Sequence, residues 1–216
     1  DLVEIPIYVY GESDGVFNEN DYIVFYGTGP VTWSYKNHAY ERNLNPYSDY
    51  SYAFLTTDLG EGKRIQSVDN ASGDVDDIIT SFLDYQHIEE DAYNLNNMGA
   101  TWYFNKFDVT TKFSFTFNFP NIIKDRKCYL KSASASRNTA SQATFKYKAN
   151  GNLVSTENFS KITDYKVYAR EGAVNTSFTS SKDQVTIDVE YGKSSSSSVA
   201  WLDYITVNAW RELKLT

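Results

Sequence analysis

The stretch FSFTFNF, Phe113 to Phe119, decides the fold. Phenylalanine stands at 113, 115, 117 and 119, and Ser114, Thr116 and Asn118 stand between. Successive side chains of a strand point to opposite faces, so this pattern predicts a strand with one apolar and one polar face. An apolar face of that kind must be covered, and in an antiparallel all-β protein a second sheet covers it. The same alternation returns in Val185, Ile187, Val189 and Tyr191, interleaved with Thr186, Asp188 and Glu190. Ala143 to Lys148 and Leu153-Val154 flank Asn150-Gly151, a hairpin signal. WLDYITVNAW, Trp201 to Trp210, predicts a further strand. From about Trp102 onward the chain therefore predicts a jelly-roll-like β-sandwich.

The front of the chain is less regular. Glu4–Tyr10, Tyr22–Tyr26 and Ser51–Thr56 predict strands, with turn signals at Gly27-Thr28-Gly29-Pro30 and Asn45-Pro46-Tyr47-Ser48. Ile78, Ile79, Phe82, Leu83 and Gln86 fall near helical spacing, yet Thr80-Ser81-Phe82 also suits a strand, and both readings stay open. The expectation is a mainly β protein in two parts: an aromatic, turn-rich β region over residues 1–95 and the sandwich over 96–216. The two parts could pack as one unit.

Composition narrows the function classes. The 216 residues include 18 Tyr and 13 Phe, residue types that favour strands. With 28 acidic and 20 basic residues the net charge is −8, which excludes the basic footprint of a nucleic-acid binder. No apolar run approaches the roughly 20 residues of a membrane-spanning helix. No signal peptide is visible, and the opening Asp1-Leu2-Val3-Glu4, without a Met, suggests a processed protein or an excised domain. Cys128 is the single cysteine, so no intrachain disulfide forms; in the strand-like Lys127-Cys128-Tyr129-Leu130 it reads as a buried, inert thiol.

Motifs for catalysis are missing. No G-x-S-x-G, C-x-x-C, H-E-x-x-H or phosphate-binding glycine loop occurs. The two histidines, His38 in Lys36-Asn37-His38-Ala39 and His87 beside Glu89-Glu90-Asp91, read as structural or exposed rather than catalytic. Glu89-Glu90-Asp91 and Asp74 with Asp76-Asp77 supply carboxylates, but a glycosidase needs two of them across a cleft, and solvated loops are the plainer reading.

One loop invites a metal. In GESDGVFNENDYIVFYGTGP, Gly11 to Pro30, setting Gly15 at the turn of a calcium loop puts Glu12, Asp14, Asn18 and Asp21 at ligand positions. The first ligand position falls on Tyr10, which carries no carboxylate. A structural calcium on those four residues is one expectation. A polar turn with positive φ at Asp14-Gly15 is the other. The aromatics Trp33, Tyr35, Tyr40, Tyr47, Tyr50 and Tyr52 could stack on sugars or a partner protein, or form core with hydroxyls at its rim.

Four passages occur in an order that resembles a known family: IPIYVYGESDGVFNENDYIVFYGTGP, NPYSDYSYAFLT, HIEEDAYNLNNMG and AWLDYITVNAWREL. They resemble the region ahead of the peptidase domain in gingipain-type cysteine peptidases of the Bacteroidetes, and within that family the type IX secretion system sortases. The family's Gly-Arg-x-Trp unit reads here Gly99-Ala100-Thr101-Trp102, with the tryptophan kept and the arginine replaced. The resemblance implies that the catalytic His and Cys lie in a caspase-like domain elsewhere in a larger polypeptide, and no residue here matches them. It implies secretion to the periplasm or outer-membrane surface. The implied role is a noncatalytic accessory domain that positions the peptidase or contacts secreted cargo or secretion-system proteins. The rival reading is a carbohydrate-binding module, suggested by the tyrosines and tryptophans; a glycoside hydrolase is weaker still.

Overall fold

The computed structural model describes residues 2–70, 72–75, 77–97 and 99–214. In chain order the strands are β1 (Ile7–Tyr10), β2 (Tyr22–Phe25), β3 (Val31–Lys36), β4 (Ala39–Leu44), β5 (Ser81–Glu89), β6 (Tyr93–Asn94), β7 (Trp102–Tyr103), β8 (Asn105–Phe107), β9 (Lys112–Asn118), β10 (Cys128–Arg137), β11 (Ala143–Ala149), β12 (Asn152–Phe159), β13 (Arg170–Phe178), β14 (Gln184–Gly192) and β15 (Val199–Glu212). The fold is mainly β, with several antiparallel sheets, as the alternating sequence predicts. Among the described residues no helix is long and apolar enough to cross a membrane.

Two compact units are present. The front unit holds Asp1–Ser34 and Arg42–Asp77, and the back unit holds Tyr35–Glu41 and Ile78–Thr216. The division at 77/78 falls ahead of the 95/96 boundary expected from sequence. The reason is β5, whose nine residues pair with β15 from Ser81↔Glu212 to Glu89↔Tyr204.

The back unit is the sandwich. One sheet runs β13-β10-β15-β5, with β8 also on β15; the other runs β12-β11-β14-β9. From β9 onward the chain crosses between sheets at each step except the β11–β12 hairpin. At that hairpin Asn150 (φ 49°) and Gly151 (φ 86°) both take the left-handed conformation that a two-residue turn requires. The phenylalanine ladder behaves as predicted. Phe117 and Phe119 are fully buried, Phe113 and Phe115 pack on the core from its edge, and Ser114, Thr116 and Asn118 are exposed. Val185, Ile187 and Val189 of the adjacent strand β14 stand beside Phe117, Phe115 and Phe113 and are themselves buried. Burying each such side chain contributes about 1.5–3 kcal/mol.

β15 is the central strand of its sheet. Its register against β10 slips between Ala133 and Ser134, where Tyr204 and Leu202 are the successive partners and Asp203 is the extra residue of a bulge. The bulge shifts the inward set from Ala200 and Leu202 to Ile205, Val207 and Ala209, all in one core. Tyr204, Thr206 and Asn208 are thereby turned to the outer face.

The structure decides one open reading from sequence and changes two others. The segment from residue 78 resolves as strand: β5 begins at Ser81, and every one of its residues is half-buried. Such even burial carries no alternation to read. Ser51–Thr56 forms no ladder, so aromatic content there did not make a strand. The first strand is shorter than Glu4–Tyr10 because Pro6 has no N–H to donate.

One acid sits between the sheets. Glu157 Oε2 accepts from Ser134 Oγ at 2.7 Å, and its Oε1 is buried without a partner among the described residues. A Cβ on Gly172 would collide with that oxygen and with the Phe159 ring, so a larger residue there would have to displace them. Burial raises the Glu157 carboxyl above its ordinary value, against the opposing bonds from Ser134 and Tyr147. The contribution of this site is therefore fully present below the ordinary glutamate pKa and is lost as pH rises through the raised one. Glu157→Gln is expected to raise the melting temperature at pH 7, by the equivalent of about 1 kcal/mol, and to have little effect at pH 4. Paired thermal melts at the two pH values check this.

Candidate interaction surface

The opening loop is built as a turn. Glu12–Asp14 form a single 3-10 turn between Gly11 (φ 89°) and Gly15 (φ 74°). Asp14 Oδ1 accepts from Val16 N at 2.9 Å, Asn18 Oδ1 from Asn20 N at 3.3 Å, and Asp21 Oδ2 from Asn18 N at 2.8 Å. Asp21 lies against the bare Cα of Gly11, where a Cβ would collide with its carboxylate. Glu12 points to Arg64, Nε–Oε2 2.8 Å. All four side chains named for calcium thus serve the loop backbone or an arginine. Among the described residues no three His, Cys, Asp or Glu side chains converge as metal ligands. EDTA is expected to leave the melting temperature unchanged if the loop is only a turn, because a bound ion would have to raise stability; a drop of several degrees would support the calcium reading.

The loop joins β1 to β2 with Ile7↔Phe25, Tyr8↔Val24, Val9↔Ile23 and Tyr10↔Tyr22 opposed. One face of this ribbon carries Tyr8, Tyr10, Tyr22 and Val24, each 47–50% exposed, with the Tyr10 and Tyr22 rings stacked at 4.9 Å. The backbone of Ile7 also bonds with Lys63 and Ile65, at 3.0 and 2.9 Å. Among the described residues of the front unit no apolar side chain is buried. The predicted aromatic belt divides. Tyr47, Tyr50 and Tyr52 are 71–94% exposed, Trp33 is half-buried, and Tyr35 and Tyr40 meet edge-on at 5.6 Å in the back unit.

The back unit has a polar outer face on its β15 sheet. Lys131, Thr206 and His87 are opposed across β10, β15 and β5. His87 Nδ1 lies 2.7 Å from Thr206 Oγ1, and Nε2 lies 2.9 Å from Glu89 Oε2. Residues 35–41 cover this face. His38 stacks on Tyr129, Tyr40 meets Tyr85 at a tilt with ring centroids 5.0 Å apart, and Tyr40 N donates to Asn208 Oδ1 at 2.7 Å. Glu41 meets Lys131, which is only 6% exposed, and the hydrogen bond from that ammonium holds the Glu41 carboxyl below its usual range. Sequence reasoning missed this pair, since 90 residues separate its members.

Cys128 lies in the sandwich core at 1% exposure, and burial pushes its thiol up to about 11. Both histidine rings lie with the outer-face residues, whereas Cys128 points inward from the neighbouring position to Tyr129. Of the acidic candidates, Glu89 binds His87, and Glu90, Asp91 and Asp74 are exposed; Asp76 lies outside the described residues.

No family model and no curated protein matches the sequence. Among solved structures, dimeric latent PorU from Porphyromonas gingivalis is similar over 98% of this chain, with a TM-score of 0.73 and 18% identity. Carbohydrate-binding modules are similar over less of it. One of family 36, in complex with calcium and xylotriose, covers 44% of this chain and 70% of its own at TM-score 0.31 and 19% identity. One of family 35 from Clostridium thermocellum covers 59% and 90% at 0.33 and 17%. Scores of that size say nothing of ligands here. The chain spans one fifth of the length of the PorU chain and shares the fold of that part.

Proposed function

We propose that this chain is the noncatalytic N-terminal accessory domain of a larger, secreted, gingipain-like cysteine peptidase of the type IX sortase kind. It acts at the periplasmic or outer-membrane surface, where it positions a caspase-like peptidase domain or contacts cargo or secretion partners. The observation that carries this is the fold shared with one part of PorU over nearly the whole chain. The buried Cys128, with its raised thiol, supports a role outside the chemistry, because the thiolate is the nucleophile and burial disfavours it.

A peptidase assay on the purified chain tests the claim. No cleavage above background is expected; thiol-dependent cleavage lost in Cys128→Ala overturns it. The exposed Tyr47, Tyr50 and Tyr52 favour a second reading, a carbohydrate-binding module. Retardation in a polysaccharide affinity gel would support it, and migration unchanged on every glycan would remove it.

A further inference from the structure

We infer that the acidic, aromatic surface of the front unit is a docking face for a basic, apolar-bearing surface in the remainder of the same polypeptide. This rests on the accessory-domain reading and names the partner within it. The first argument is thermodynamic. β1 and β2 form a ladder of only four pairs, extended by a single bridge from Ile7 to Arg64, and a ribbon so little extended is at best marginally stable in water. Apolar burial ordinarily supplies the missing stability, and the described residues of this unit bury no apolar side chain.

The second argument is chemical. Tyr8, Tyr10, Tyr22 and Val24 form a contiguous stripe on one face, and Tyr26, 80% exposed, extends its alternation. Contiguous exposed apolar surface marks an interaction site, and tyrosine is a preferred anchor in interfaces. The third argument is charge. The front unit carries 13 acidic and three basic residues, net −10, while the back unit carries 15 and 17, net +2. A second copy of the same face would meet it with like charge, and nucleic acid or an anionic lipid surface would be repelled. A basic protein surface fits. The likeness to one fifth of a longer chain indicates where such a surface would come from.

Hydrogen exchange tests this, comparing the purified chain with the natural full-length polypeptide. The amides of β1 and β2 are expected to exchange at least about tenfold more slowly in the full-length protein, since docking adds to their local opening free energy. Tyr8→Ser with Tyr22→Ser in the full-length protein is expected to abolish that protection while leaving the melting transition of the back unit in place. With the remainder supplied as a separate chain, binding should weaken as salt is raised. A longer polypeptide that has a caspase-like domain but leaves β1 and β2 unprotected overturns the docking face and leaves the accessory-domain reading standing. Protection in a longer polypeptide without such a domain supports docking and overturns the peptidase reading. A natural polypeptide no longer than this chain overturns both. Dimers of the purified chain in sedimentation, with β1 and β2 protected in them, overturn the assigned occupant in favour of a second copy.

Discussion

Phe145→Ala is expected to destabilise the back unit by about 3–5 kcal/mol, the cost of deleting a fully buried phenylalanine. Phe145 is at 0% exposure on β11 and stands at the meeting point of the two sheets. Its ring centroid lies 4.8 Å from that of Phe107, 5.1 Å from Tyr191, 5.9 Å from Phe159 and 6.2 Å from Tyr147. Alanine would therefore remove the shared neighbour of four rings. Those rings belong to β8, β14, β12 and β11, so inward collapse would have to move several strands at once, which places the cost in the upper part of the range. Urea denaturation measures it as a lower midpoint with unchanged slope. A loss under 1 kcal/mol would mean that the sandwich core is not centred here.

The second large effect concerns Glu41. Glu41→Ala leaves the Lys131 ammonium nearly buried without its carboxylate partner. Breaking a buried pair costs about 3–5 kcal/mol. Glu41 keeps one third of its side-chain surface in water, so the expected loss is less, about 2–3 kcal/mol after discounting for screening. Lys131→Met on the Glu41→Ala background removes the stranded charge and is expected to restore most of the loss. The double-mutant cycle isolates the pair. The pH dependence has a fixed sign. Glu41 is held below its usual range, so the stability that it contributes is present above the ordinary glutamate pKa and fades as pH falls through the depressed one. Stability independent of pH in the acid range, or no recovery in the double variant, would detach residues 35–41 from the outer face.

The parts of the fold legible in sequence are those where one face of a strand is dry and the other wet. β9 and β14 show this, and so does the Asn150-Gly151 turn, whose positive φ values demand those residue types. β5 was ambiguous for a physical reason. Its inward side only edges the core at Ile88, and its outward side is partly covered by Tyr40 and its neighbours, so the period of two is erased. SYAFLT at 51–56 shows the converse, strand-forming residue types with no strand formed. The opening loop was legible as a turn, but the directions of its carboxylates were not. Asp21 folds back on Gly11, and Glu12 finds Arg64 across 52 residues. The Lys131–Glu41 pair depends on a sheet register that no local pattern encodes.

The place of β15 in its sheet also sets an order of assembly. β9, β11, β12 and β14 are all made by Gly192, so their sheet can close while later residues are still emerging. Among the described residues β5 has no neighbour in its own sheet except β15, which starts at Val199, more than a hundred residues after β5 ends. A nascent chain therefore carries β5 as an unpaired edge while more than a hundred further residues are added, the condition under which strands pair wrongly or aggregate. Closing so long a loop makes the last step the slow one. Any chain stopped before Val199 would hold one finished sheet, the β10–β13 pair of the other, and β5 without its partner strand.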